Sequence, residues 1–311
     1  MWAVPPTRHG VAADLKEPPV SLKSDLRSAK TPVGAWARET FPNCKALYGQ
    51  LRDAATPHRV APDGWGDGRD QRWSWAGTAC GTMLRWQLGD TGWDPVTVMG
   101  AVRVLTGVIR TPGAAAYDQL GDDGLSQLVA AAPDIGDLRH AAATAVVWAL
   151  AEQHFRHGET ANPLSDADLA DVDHLLDEVA PAEVVDDVHA VAAGPGGELA
   201  GQIGELGHVA FGPAYRYPRG ADADLLAGTT IVEVKTTVAR PKMVDVLQPV
   251  GYALLSDDPV DHVAWAYPRS GGLLHMGLQE VLDTAAGEPV GLEDSRAGFT
   301  AALEQTPSGI R

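Results

Sequence analysis

The chain has 311 residues, 45% hydrophobic and 21% charged, enough to bury one large core or two modest ones. Its 24 Lys and Arg against 41 Asp and Glu give a formal net charge of −17. That excludes sequence-blind coating of nucleic acid or an anionic membrane, which needs a clustered positive surface, but leaves room for an enzyme whose positive charge comes from a metal ion and a few local Lys or Arg residues.

In chain order, residues 1–30 read as an extended arm, with Pro5, Pro6, Pro18 and Pro19. The N-terminus has no apolar stretch that could serve as a signal-peptide core, and no window approaches the roughly 20 apolar residues of a membrane span. A cytoplasmic protein with no membrane partner is therefore expected. Cys44 and Cys80 lie in no metal-spaced cluster and read as reduced, buried thiols. Trp36, Phe41, Leu47 and Leu51 suggest one or two short helices over 32–55, and the Pro, Gly and Asp of 57–70 a surface loop. Residues 73–88 predict a closely packed helix. The bunched Trp65, Trp73, Trp75, Trp86 and Trp93 fit a packed satellite core better than a base-stacking platform.

Leu138, Ala141, Ala142, Ala145, Val146, Ala149 and Leu150 repeat at helical spacing and predict a buried helix up to Phe155, stopped by Gly158. His154 and His157 on it are three apart, a spacing that can bind metal but is commoner at a solvated helix end. Ser165 and Asp168 resemble a cap for a helix through Leu169, Val172, Leu175, Leu176 and Val179. Another helix starts near Pro181 and breaks at Gly194-Pro195-Gly196-Gly197, the best boundary in the chain. The expected organisation is an arm over 1–30, a mainly helical region over 31–194 and a mixed α/β domain over 195–311.

In that last part, 197–211 predicts a helix, ADADLL and TTIVEVKTTV a hairpin, 243–256 a helix, 261–267 and 272–276 strands, and LQEVLDTAA a helix. Along a strand, Ile231, Glu233 and Lys235 share a face while Val232 and Val234 point to the core. A two-residue turn at Ala227-Gly228 would put Asp224 opposite Ile231 and Asp222 opposite Glu233. Three carboxylates beside one ammonium are costly without a cation, and hard oxygen ligands suit Mg²⁺ or Mn²⁺. Such an ion with a nearby lysine suits phosphodiester hydrolysis. An E-x-K triplet alone usually marks a solvated, charge-paired strand face. Here Thr and apolar residues flank it, and a helix follows with Gln248 and Tyr252 four apart on one face.

Asp224, Glu233-Val-Lys235, Thr236-Thr237 and Gln248-Pro-Val-Gly-Tyr252 together resemble the PD-(D/E)XK nuclease superfamily, in its RecB-type, exonuclease-like branch. The likeness covers roughly residues 195–285. It implies a restriction-endonuclease-like core, a small mixed sheet flanked by helices, and metal-dependent cutting of nucleic acid, DNA more than RNA. By the same resemblance Asp224 and Glu233 hold Mg²⁺, Lys235 positions or activates the attacking water, and Gln248 and Tyr252 seat the lysine or the strand. The family's leading proline is replaced by Ala223, and Asp222 is an alternative ligand to Asp224, which the following Leu225-Leu226 pair favours. Glu198 or Glu205, seven apart on one helix face, could add the glutamate that many members take from the preceding helix. Pro249 requires the helix to begin near Gln248 or to kink there. A weaker, longer likeness, through WAGTACGTMLRW and DHVAWAYPRSGGLLHMGLQEVL, is to bacterial proteins that pair a helical N-terminal region with this core; it makes Lys242 and Arg269 candidate phosphate contacts. The chain has neither a G-x-x-x-x-G-K-[ST] phosphate loop nor a G-x-S-x-G elbow. The alternative function is a nuclease-fold protein without turnover, binding nucleic acid or a protein partner; oligomeric state is left open.

Overall fold

A computed structural model describes residues 21–56, 62, 65, 71–107, 113–157, 162–215, 221–236 and 241–306. The first twenty residues of the expected arm, most of the 57–70 loop, the Gly158 stop and Thr237 lie outside them. The fold is mixed α/β, a helical region followed by a small mixed sheet flanked by helices. No helix among the described residues is long and apolar enough to cross a membrane.

Three short helices come first: α1 (Leu22–Arg27), α2 (Pro32–Thr40) and α3 (Tyr48–Ala54). The arm expected to run to residue 30 therefore ends in a helix, started by the Ser21 hydroxyl, which accepts from the Ser24 N–H. These helices pack not with the helical region but with the sheet domain, their Leu22, Leu26, Val33, Phe41, Leu47 and Leu51 sharing its core. The helical region is α4 (Gln71–Gln87), α5 (Pro95–Thr106), α6 (Gly113–Tyr117), α7 (Gly124–Ala130), α8 (Leu138–His157), α9 (Val172–His174, continued by a wide turn to Val179) and α10 (Ala182–Ala193). The cap over 165–168 does not start α9. Asp171 does so, accepting from the Asp173 N–H, while 163–166 form one tight 3₁₀ turn.

At the centre lies α8, buried continuously from Ala141 to Ala151; its alanines let neighbours approach until Gly100 of α5 touches the Ala151 carbonyl. The tryptophans serve this core. Trp65 packs edge-on to Trp73 and Trp86 edge-on to Trp148, whose indole N–H donates to the Leu128 carbonyl at 2.7 Å. Cys80 lies here and Cys44 in the sheet core; both are free, and burial pushes each thiol up to about 12.

Gly194 ends α10 and admits Pro195 as first residue of α11 (Pro195–Glu205). The helix expected to 211 stops there. After Gly207, at φ +132°, Val209–Phe211 form strand β1 instead, because they pair with a later strand. The other strands are β2 (Ala214–Tyr215), β3 (Ala221–Asp222), β4 (Leu225–Ala227), β5 (Thr230–Val234), β6 (His262–Tyr267) and β7 (Gly272–Gly277). The main sheet runs β1-β4-β5-β6-β7, antiparallel except for the parallel β5–β6 pair that α12 (Met243–Leu255) bridges. α13 (Leu278–Ala286) and α14 (Leu292–Glu304) complete the chain. One sheet face packs on α11 and Leu84 of α4 through Leu225, Ala227, Val232, Ala264 and Ala266. The other packs on α1 and α12 through Ile231, Val263 and Trp265.

Arg269 is not a phosphate contact. In the β6–β7 turn it pairs two-pronged with Asp187 of α10, at 2.7 and 2.5 Å, with side chains 3% and 1% exposed, and lies over the Trp73 ring. This buried pair ties the sheet domain to the helical region.

Candidate active site

The hairpin register decides which carboxylates meet. Gly228, at φ +57°, takes the first loop position, where a Cβ would stand only 2.5 Å from the Leu206 carbonyl oxygen, so Ala227 stays in β4 opposite Thr230. The turn is therefore Gly228-Thr229, not Ala227-Gly228. Continuing the pairing of Leu225 with Val232 by one residue puts Asp224 across from Glu233. Asp222 leaves the sheet: it lies exposed on β3, paired with Ala214. Glu198 and Glu205 are exposed on α11. Among the described residues no group of three or more His, Cys, Asp or Glu side chains is arranged to hold a metal ion. The expected three-carboxylate cluster is thus a pair, Asp224 and Glu233, without Asp222 or Glu205.

Around that pair the expected residues converge. The Lys235 ammonium donates to Glu233 Oε1 at 2.6 Å and to Gln248 Oε1 at 3.2 Å, and Gln248 Nε2 donates to the Tyr252 hydroxyl at 3.1 Å. The amide of Val234 donates to Asp224 Oδ2 at 2.7 Å. Tyr215 of β2 stacks on Tyr252, ring centroids 5.9 Å apart. Gln248 can take part because α12 runs unbroken through Pro249. Proline has no N–H for the carbonyl of residue 245, four positions earlier. The indole of Trp265, next to Glu233 in the parallel pair, donates to that carbonyl at 2.7 Å and so replaces the missing hydrogen bond.

Two residues of the site have no motif to announce them. Asp245, in the first turn of α12, accepts from the Lys242 N–H and lies 3.7 Å from the Lys235 ammonium. Its signal is an acidic residue three positions after the helix cap. Lys242 itself is exposed at that cap. Lys23 on α1 lies in electrostatic range of Asp224, Glu233 and Lys235. The four-residue spacing of Leu22 and Leu26 after Ser21 is the trace of its helix.

The electrostatics are those of a site short of cations. Burial, then the Asp224 charge, raise the Glu233 carboxyl from 4.5 to about 7, outweighing Lys235. Burial also raises Asp224, against the Val234 hydrogen bond and the charges of Lys235, Lys23 and Arg85. Burial opposes the Lys235 ammonium, but Glu233, Asp245 and Asp224 prevail and hold its pKa above the ordinary lysine value. Glu233 Oε2 is buried with no hydrogen-bond donor. A hard divalent cation, which takes one or two carboxylates and keeps most of its waters, fits this pair and the orphaned oxygen. Set against protein-family models, curated proteins and solved structures, the chain matches none.

Proposed function

We propose that this protein is a metal-dependent nuclease that hydrolyses phosphodiester bonds, of DNA in preference to RNA, in the cytoplasm. The observation that carries the proposal is the pairing of buried Glu233 with half-buried Asp224, with the Lys235 ammonium 2.6 Å from Glu233 and the other Glu233 oxygen left without a donor. The uncompensated oxygen lies on the carboxylate that a hard cation would need, beside a second carboxylate whose charge opposes it. The resemblance of the ordered residues Asp224, Glu233, Lys235, Gln248 and Tyr252 to the PD-(D/E)XK pattern supports the same reading.

On this proposal Asp224 and Glu233 hold Mg²⁺ or Mn²⁺, which when bound polarises a phosphoryl oxygen and makes water more acidic. Lys235, a charged donor beside Glu233, orients the attacking water or stabilises the negative charge that develops on the phosphoryl oxygens. Gln248 and Tyr252 keep the ammonium in place, and Asp245 sustains its charge.

The purified protein incubated with single- and double-stranded DNA and with RNA, in Mg²⁺ or Mn²⁺ and in chelator, tests this. Cutting should require the metal, and Lys235→Ala should slow it about 10²–10³-fold, the cost of losing one charge-stabilising donor. Absence of cutting on every substrate, or equal rates for Lys235→Ala and the parent, rejects the enzyme. Tight binding of nucleic acid without cutting would select a binding module instead.

A further inference from the structure

The N-terminal helix α1 brings a second lysine to the candidate site, and nothing in the nuclease pattern requires it. Its position follows from packing. Leu22 is 1% exposed and its Cδ2 lies 2.9 Å from where a Gly251 Cβ would stand, so the glycine is what admits α1 onto α12. Gly251 is three residues from Gln248 and adjacent to Tyr252, so α1 covers the helix segment that seats Lys235. Leu26 and Asp25 are also buried, at 2% each, which fixes the helix and with it the stem of Lys23.

From that seat Lys23, half-buried on α1, lies within electrostatic range of Lys235, Glu233 and Asp224, and Asp224 in turn feels its charge. Yet among the described residues Lys23 makes no ion pair within 4 Å, the carboxylate Glu233 being engaged by Lys235 instead. A half-buried ammonium near another ammonium costs free energy, and a lysine kept only for neutralisation would close onto a carboxylate. The charges of Asp224, Glu233 and Asp245 against Lys235 and Lys23 leave one net negative charge. A bound divalent cation reverses that to one net positive charge, which matches one phosphodiester.

We propose that Lys23 is a phosphate-binding residue of this site, its ammonium taking a backbone phosphate of the polynucleotide beside Asp224 and Glu233. The proposal rests on the nuclease reading for its substrate class, but binding with the cation site filled by Ca²⁺ and scored apart from cutting tests it separately from turnover. A labelled single-stranded DNA oligonucleotide is titrated in a fixed concentration of Ca²⁺ at a series of monovalent salt concentrations with the full chain, Lys23→Met and Lys23→Arg, and the three are assayed for cutting in Mg²⁺. One phosphate contact on a single strand contributes a slope of about −0.7 in log K against log salt. Lys23→Met should bind more weakly, with a slope shallower by about 0.7, and should cut with a raised KM. Lys23→Arg should keep the parent slope, which a misfolded or merely loosened α1 would not. An unchanged slope in Lys23→Met, equal losses in Met and Arg, or a parent that does not bind the oligonucleotide overturns the proposal. A parent that cuts while Lys23→Met keeps its slope sinks only Lys23; a parent that never cuts while Lys23→Met flattens the slope sinks only the nuclease.

Discussion

Glu233→Gln in metal-free protein isolates the energetic cost of the candidate site. The Glu233 carboxyl titrates near 7 in the fold against 4.5 ordinarily, raised first by burial and then by Asp224. Between those values the folded state binds more protons than the unfolded state, so stability falls as pH rises. The stabilisation is fully present below pH 4.5, where both states are protonated, and is gone once pH has passed about 7. At 1.36 kcal/mol per tenfold change in proton affinity, the whole effect is about 3 kcal/mol, most of which falls between pH 5 and pH 8. Glutamine keeps the shape and removes the titration. Asp224 is coupled to Glu233, so the substitution also removes a negative neighbour from Asp224, and the comparison reads the titration of the pair rather than of one carboxyl. Urea unfolding in chelator at pH 5 and pH 8 should therefore show the parent losing about 2–3 kcal/mol more than Glu233→Gln over that interval. At pH 8, Mg²⁺ at a hundred times its Kd should restore about 2.7 kcal/mol to the parent and less to the variant. If parent and variant share one pH dependence, the carboxylate is not buried as described and the electrostatic basis of the site is wrong.

Breaking the buried Arg269–Asp187 pair with Arg269→Met should cost about 3–5 kcal/mol in chemical unfolding, because it strands an ionised carboxylate that is 1% exposed. Adding Asp187→Leu should recover most of that loss, since the charge left behind is then gone. Gly100→Ala sets a methyl 1.9 Å from the Ala151 carbonyl, which neither helix backbone can evade cheaply. Thermal unfolding should show about 1–3 kcal/mol of destabilisation, in line with overpacking elsewhere. Asp222→Asn and Glu205→Gln should leave the metal-dependent cutting rate of the parent unchanged, since both carboxylates lie exposed and outside the pair; a large loss in either would return a third carboxylate to the site.

Periodicity made the long elements legible. The 138–155 helix, the LQEVLDTAA helix and the strand through DHVAWAY stand nearly where their patterns predict, because an apolar face repeating at 3.6 or 2 residues has only one way to be buried. The same period put Glu233 and Lys235 on the face opposite Val232, as observed. Short elements failed for the converse reason. Val209–Phe211 have too few residues to show a period, and they are a strand only because β4 supplies their hydrogen bonds. The 165–179 segment had a plausible cap at Ser165, but Asp171 offered another nearer the apolar run.

By itself the amino-acid order determined the fold class, the polarity of each long helix and strand, and the identity of Asp224, Glu233, Lys235, Gln248 and Tyr252 as a group. Tertiary structure decided which carboxylates meet, since the left-handed Gly228 moves the hairpin register by two residues and sends Asp222 to another sheet. It turned Pro249 from an interruption into a tolerated helix residue by supplying the Trp265 indole from a neighbouring strand. It also carried Lys23, some two hundred residues away in sequence, to the same carboxylates through a leucine that fits against Gly251. Spacing in sequence controls what a single strand or helix presents, whereas contacts between distant elements depend on which surfaces can close on each other without a void or a clash.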